Sequence, residues 1–474
     1  MKRLIYAAAL IAAMLAGGAY TAFAQSTSGK SAPEFSKSLR AKWKVQRATA
    51  ESLAAAHGIP MRVQSADGRG REIQSFAHGI PRAFTTYNLV SAQTVSADSV
   101  WPGGGDGLSL TGSPDTLGEW DEGIPLTTHQ ELTGRILGPD TSAVVGHSTH
   151  VGGTLIATGI DANAKGMAYQ AKLLAFDWNN DVAGMAAAGA AGLQVSNHSY
   201  GYVTGWDYDY FGDGRYEWWG DSTVSTTQDY RFGFYDQEAY EWDSVVAADP
   251  YYLPCKAAGN DRNFGPPSQP VEHWEFDSLG NQFLTSTVRP NNGSPTGYRT
   301  LDGSGDSKNV MVVGAVSGLS GGYAGPGSVV MSSFSNWGPT DDGRVKPDIV
   351  ADGVNVYSTY SSSNASYATL SGTSMATPNV AGSIGLLLNE QKNLHGPVRL
   401  RASTLRALID HTADDAGTAG PDYVYGWGLL NTLHAVQLMK LDSADGANSH
   451  IAEYTRPQGD TINLTVASNG ASPL

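Results

Sequence analysis

Two hydrophobic rhythms divide the chain. Between residues 105 and 440, short apolar runs at 172–176, 193–196, 251–258 and 310–314 have strand length. They alternate with helical patterning over 380–391, 403–411 and 429–438. This alternation predicts an α/β body: an open, mainly parallel sheet with helices on both faces, its chemistry beyond the carboxyl ends of the strands. Residues 25–104 read as a separate N-terminal extension or propeptide. A helical run over 39–56 is closed by Gly58 and Pro60, and a turn at Asp67-Gly68 and alternation over 83–87 predict short strands. Strict alternation over 461–466 predicts one more strand, the start of a β domain over 445–474. A lone strand cannot bury its apolar face, so it pairs with the body or begins a β-sandwich of which the chain holds only a part.

The first 24 residues have the layout of a secretory signal peptide: Lys2 and Arg3, an apolar stretch over 4–16, and Ala22-Phe23-Ala24 before Gln25. That stretch is shorter than the roughly 20 residues a membrane span needs, so a secreted protein with no stable membrane anchor is expected. The chain has 474 residues, enough for two or three units, and its net charge of −15 disfavours nucleic acid as a partner. Cys255 is the single cysteine, which excludes an intrachain disulfide, and its apolar neighbours suggest a buried structural thiol. Residues 202–252 are dense in aromatics and acids, Trp206, Trp218, Trp219 and Trp242 among them. They form a packed insertion or a wall of a binding cleft. Asp207, Asp209 and Asp213-Gly214 suggest a calcium loop, one residue off the EF-hand spacing.

Four segments carry candidate chemistry. In Gly372-Thr373-Ser374-Met375-Ala376 a glycine turn leads into a helix of small residues, which would bring an amide-rich helix start to the serine; Pro378 is expected within the first turn. Gly146-His147-Ser148-Thr149-His150 places a histidine at the start of another small-residue helix, a rigid mount for a general base. Two histidines three apart also suggest zinc, but no third ligand is evident. Trp120-Asp121-Glu122-Gly123 offers a strand-end carboxylate to orient an imidazole, and Ala257-Ala258-Gly259-Asn260 offers a side-chain amide to a developing oxyanion.

Together, in the order Asp, His, Ser, these segments resemble the subtilisin-like serine peptidases (subtilases) over about 105–440. Further likenesses lie at 332–339, 346–349 and 425–431. The resemblance implies a three-layer α/β/α fold and a secreted endopeptidase acting through an acyl-enzyme. Asp121, His147 and Ser374 would be the triad, joined in one hydrogen-bonded relay, and Asn260 the oxyanion donor. Ser199, Tyr200 and Gly201 would pair with an extended substrate, while Ala257, Ala258 and Gly259 would wall the first specificity pocket. It implies polypeptide substrates, a monomer, no cofactor for the chemistry, and room for structural calcium. Three positions depart from the family pattern: Glu122 for Ser or Thr, Ser148 for Gly, and Gly152 for Ala. Glu122, if directed inward, would raise the imidazole pKa. The alternatives are an inactive binding protein on the same frame and an esterase.

Overall fold

The computed structural model describes residues 32–64, 70–77, 79–86, 91–105, 107–138, 141–446, 449–454 and 461. The expected signal peptide, the Asp67-Gly68 turn and, beyond Thr461, the strand over 461–466 lie outside them. The N-terminal section folds as a helix, α1 (Ala32–His57), and a small antiparallel sheet of β1 (Arg62–Gln64), β2 (Gly70–Ala77) and β3 (Ile80–Thr86). The body then runs β4 (Thr116–Asp121), β5 (Ile136–Leu137), α2 (Gly146–Ile156), β6 (Lys172–Asp177), α3 (Asp181–Ala190), β7 (Val195–His198) and β8 (Tyr200–Tyr202). Next come β9 (Trp206–Tyr208), β10 (Tyr216–Trp218), α4 (Gln237–Ala248), β11 (Leu253–Ala257), β12 (His273–Phe276), β13 (Gln282–Thr285) and β14 (Met311–Val316). The chain continues through β15 (Ile349–Asp352), β16 (Val354–Tyr360), β17 (Ser366–Ser371), α5 (Thr373–His395), α6 (Ala402–Thr412) and α7 (Thr432–Asp445).

The central sheet has seven parallel strands in the order β15-β14-β11-β7-β4-β6-β5. Successive residues of a strand face opposite sides, and the apolar run before and within β14 shows the result. Met311 and Val313 join one core with Val380, Ile384 and Leu387 of α5, while Val310 and Val312 join a second core with Met185 of α3 and Trp242 of α4. Helices therefore cover both faces, giving the three layers expected.

Three expectations need correction. The body begins earlier than residue 104, because Val95, Ala97 and Val100 are buried in its main core; they stand among polar residues without a period that would have announced them. The last helix starts at Thr432, not 429. Leu429 and Leu430 are apolar because they are buried, in an extended segment whose Leu429 N–H donates to the Asp414 carbonyl (2.8 Å) and Leu430 N–H to the Val350 carbonyl (3.0 Å). Asn431 then caps the helix, accepting from His434 N–H at 2.9 Å. The third concerns the acids of the insertion. Asp207 is buried on β9, Asp209 accepts from Gly214 N–H (2.7 Å), and Asp213 pairs with Arg215 (2.8 Å) and Trp274 Nε1 (2.9 Å). The Asp209 and Asp213 carboxylates are engaged with separate partners. Among the described residues no cluster of three or more His, Cys, Asp or Glu is placed to hold a metal.

The aromatic insertion supplies β9 and β10 to a second sheet, β13-β12-β10-β9, which later residues complete. Its Tyr210 and Trp219, with Phe276 and Val203, form a satellite core against Ala50 and Ala54 of α1 and Ile73 and Ile80 of the N-terminal sheet. The packed-insertion reading holds, and its partner is the N-terminal unit. A Lys42–Glu241 ion pair also ties α1 to α4.

Candidate active site

Asp121 ends β4, and the ladder between β4 and β7 pairs Trp120 with His198. One residue further along each chain, Asp121 and Ser199 therefore emerge side by side at the carboxyl edge of the sheet. The segment after Asp121 returns through paired backbone bonds, Ile124 N–H to the Ala143 carbonyl (2.9 Å) and Val145 N–H to the Ile124 carbonyl (3.1 Å). This brings the start of α2 over that edge. His147, its second residue, has Nδ1 at 2.7 and 2.8 Å from the two Asp121 carboxylate oxygens. Asp121 is fully buried, and its Oδ1 also accepts from Glu122 N–H at 2.8 Å. A carboxylate held on Nδ1 fixes the proton there and leaves Nε2 as the basic nitrogen.

The glycines of α2 are explained by what they touch. A side chain at Gly146 would run into the Tyr360 ring, and one at Gly153 into Thr359. At Gly152, where the family pattern has alanine, a Cβ would lie 3.0 Å from Glu119 Oε2 and 3.2 Å from Leu173. Glu119 is thus what the missing methyl accommodates. This carboxyl is fully buried, neither oxygen has a hydrogen-bond partner among the described residues, and burial followed by the Asp121 charge raises its pKa well above the usual range.

Ser374 is the second residue of α5, so its amide N–H is one of the first-turn donors without an intrahelical acceptor. The expected relay is not closed in this structure. Ser374 Oγ donates to the Ser199 carbonyl at 2.9 Å, and Ser199 Oγ donates back to the Ser374 carbonyl at 2.6 Å. Asn197 Nδ2 in turn holds Ser199 Oγ at 2.8 Å. Pro378, expected within the first turn, lies past it. With no N–H to give to the carbonyl four residues back, it leaves the Ser374 carbonyl open to Ser199. Rotation about one side-chain bond is what turns the hydroxyl away from Ser199. Such bonds in a substrate-free site commonly close only in the Michaelis complex.

Asn260 follows β11. Its Oδ1 accepts from Thr373 N–H (2.9 Å) and Thr373 Oγ1 (3.0 Å), and Thr373 Oγ1 accepts from Gly259 N–H (3.1 Å). With the carbonyl end of the amide taken, its NH₂ end is the one left to face a ligand. Gly259 has a φ of +106°, and a Cβ there would strike Asn336, whose Oδ1 accepts from Asp261 N–H at 3.0 Å. Thr373 and Asn336 stand in motifs read above but their roles were not. Nothing in the sequence says that Thr373 orients an amide more than a hundred residues away.

The strip Ser199-Tyr200-Gly201 is occupied on its open side. β3 pairs antiparallel with β8, Thr86 opposite Tyr200 and Thr85 opposite Gly201. Ala257 and Ala258 are buried, with Ala258 N–H bonded to the Val313 carbonyl at 3.0 Å. Other candidates resolve as framework. Burial pushes the Cys255 thiol pKa up, away from a reactive thiolate. His150 is buried with Nε2 3.2 Å from the Ala368 carbonyl, and burial, then the His147 charge, drives its pKa down to about 3. Glu122 is buried beside the site.

The family described as the subtilase family, Peptidase_S8, matches residues 135–428. Thermitase of Thermoactinomyces vulgaris is 42% identical over 106 residues, 22% of this chain and 32% of that protein. Serine protease AprX of Bacillus subtilis is 32% identical over 150 residues, 29% of this chain and 32% of its own length. C5a peptidase of Streptococcus pyogenes is 56% identical over 57 residues, 12% of this chain and 5% of that protein. The alignments thus span about a third or less of these relatives.

Proposed function

Because the chain belongs to the subtilase family, we propose that it is a secreted serine endopeptidase with Ser374 as nucleophile, His147 as general base and Asp121 orienting that base. Ser374 Oγ attacks a peptide carbonyl while His147 Nε2 takes its proton, and Asp121 stabilises the imidazolium that results. Asn260 and the Ser374 amide hold the oxyanion. His147 returns the proton to the leaving amine, and water then releases the acyl group by the same route in reverse. Every step uses groups of this chain. The bond between His147 Nδ1 and Asp121 carries this reading, since it leaves one basic nitrogen at the sheet edge where Ser374 meets Ser199.

Secretion is supported by the pattern of residues 1–24, and polypeptide substrates by the β8 edge, which pairs with an extended backbone. The N-terminal unit reads as a propeptide, supported by β3 lying on that edge, where a substrate would have to lie. The form described is then latent. The test is casein clearance by protein purified from the medium, compared with Ser374→Ala and with turnover of a short-chain ester. Casein cleavage abolished by the substitution is expected. Ester turnover without casein cleavage would favour an esterase, and neither activity would favour a binding protein.

A further inference from the structure

Lys256 is out of place by ordinary rules. It lies within β11, a central strand with a run of apolar neighbours, and it is only 3% exposed. An ammonium there loses its hydration and must be repaid by partners. Its Nζ donates to two main-chain carbonyls, those of Tyr200 and Ala257, the latter at 2.9 Å, and it lies 5.7 Å from the Tyr200 ring. Asp302, Glu238, Asp181 and Asp261 supply the surrounding negative charge, although burial still lowers its pKa to about 8.

The place of those two carbonyls matters. The ladder between β7 and β11 stops at the pair His198 and Lys256. Beyond it the chains part as Ser199-Tyr200-Gly201 on one side and Ala257-Ala258-Gly259 on the other. These are the two strips assigned above to substrate main chain and first pocket. With the ladder ended, backbone pairing no longer sets their separation. Lys256 Nζ reaches a carbonyl in each strip and ties them directly, beside the start of α5, which holds Ser199 through Ser374 and Gly259 through Thr373.

We propose that Lys256 is a positioning residue for peptide substrates: it clamps the Tyr200 and Ala257 carbonyls and so fixes the width of the slot between the two backbone strips. This rests on the peptidase reading of the site. Because the clamp acts on the walls and not on Ser374, His147 or Asn260, its loss should penalise substrates in proportion to how much of the slot they fill.

The experiment compares Lys256→Met and Lys256→Gln with the parent in the full, processed protein, using a tetrapeptide anilide and p-nitrophenyl acetate. For the methionine variant kcat/KM on the tetrapeptide should fall by about tenfold or more, chiefly through KM, with acetate turnover and fluorophosphonate labelling within about twofold of the parent. The glutamine variant, able to donate to one carbonyl, should fall between. Unchanged tetrapeptide kinetics would overturn the proposal, as would equal losses on both substrates. Failure of both variants to accumulate as folded protein would also overturn it, marking Lys256 as a folding residue. A parent that is neither labelled nor active on either substrate would instead remove the peptidase reading beneath it.

Discussion

Glu119 sits two residues before Asp121 with no hydrogen-bond partner among the described residues, and that makes stability depend on pH in a calculable way. Its folded pKa lies well above 4.5, raised by burial and then by the Asp121 charge. In the unfolded chain the same carboxyl ionises at about 4.3. Between these two values the folded state holds a proton that the unfolded state has released. Unfolding free energy therefore falls as pH rises, by about 1.4 kcal/mol per pH unit, and the penalty is absent below the unfolded value. Glu119→Gln keeps the shape and removes the titration. The assay is urea unfolding of Ser374→Ala, chosen to prevent self-digestion, with and without Glu119→Gln at a series of pH values from 4 to 9. The difference between the two should be near zero at pH 4 and grow with that slope in favour of glutamine until the folded carboxyl ionises. Parallel curves across the range would refute the reasoning, and so would a difference of opposite sign.

Glu131 should behave in the opposite sense. Burial raises its pKa, but Thr158 Oγ1 (2.6 Å), the Asp161 and Ile160 amides (2.8 and 3.0 Å) and Tyr367 Oη (2.8 Å) outweigh that and hold it below 4.5. Its contribution is present above the unfolded pKa and lost as pH falls through the lower folded value. Glu131→Gln should cost about 3 kcal/mol at neutral pH, and the deficit should shrink in acid when measured by the same unfolding assay. Asn260→Ala should lower kcat by about 10²–10³-fold with little change in KM, a size known from this same family of enzymes. Glu122→Ser should move the acidic limb of the kcat/KM profile to lower pH, and an unmoved limb would show that the Glu122 charge does not reach the imidazole.

Much of this was legible because local chemistry repeats. The apolar run at 310–314 became a strand of the central sheet since a strand buried on both faces needs continuous apolar residues, and the run at 172–176 became a strand of the same sheet with one face half-buried. His147 and Ser374 stood out because each enters a helix rich in small residues, and Asp121 because a glycine turn follows one residue beyond its neighbour. What escaped was nonlocal. Pro378 looks like a tolerated helix proline until the Ser374 carbonyl it leaves open is seen to receive Ser199. Lys256 looks like a charged interruption of a strand until its two carbonyls are seen. Asp207, Asp209 and Asp213 misled because carboxylates at ligand-like spacing serve equally well as turn acceptors and ion-pair partners. The aromatic insertion could be recognised as a packed unit, but its cover, α1 and the N-terminal sheet, lies over a hundred residues away in the chain.

The most direct measurement is reaction of the processed protein with a fluorophosphonate, read by intact mass and peptide mapping. Stoichiometric modification at Ser374, lost in Ser374→Ala and slowed by orders of magnitude in His147→Ala, is the expected result. Absence of labelling in the processed parent, or labelling indifferent to His147, would contradict the claim that Asp121, His147 and Ser374 act as one unit.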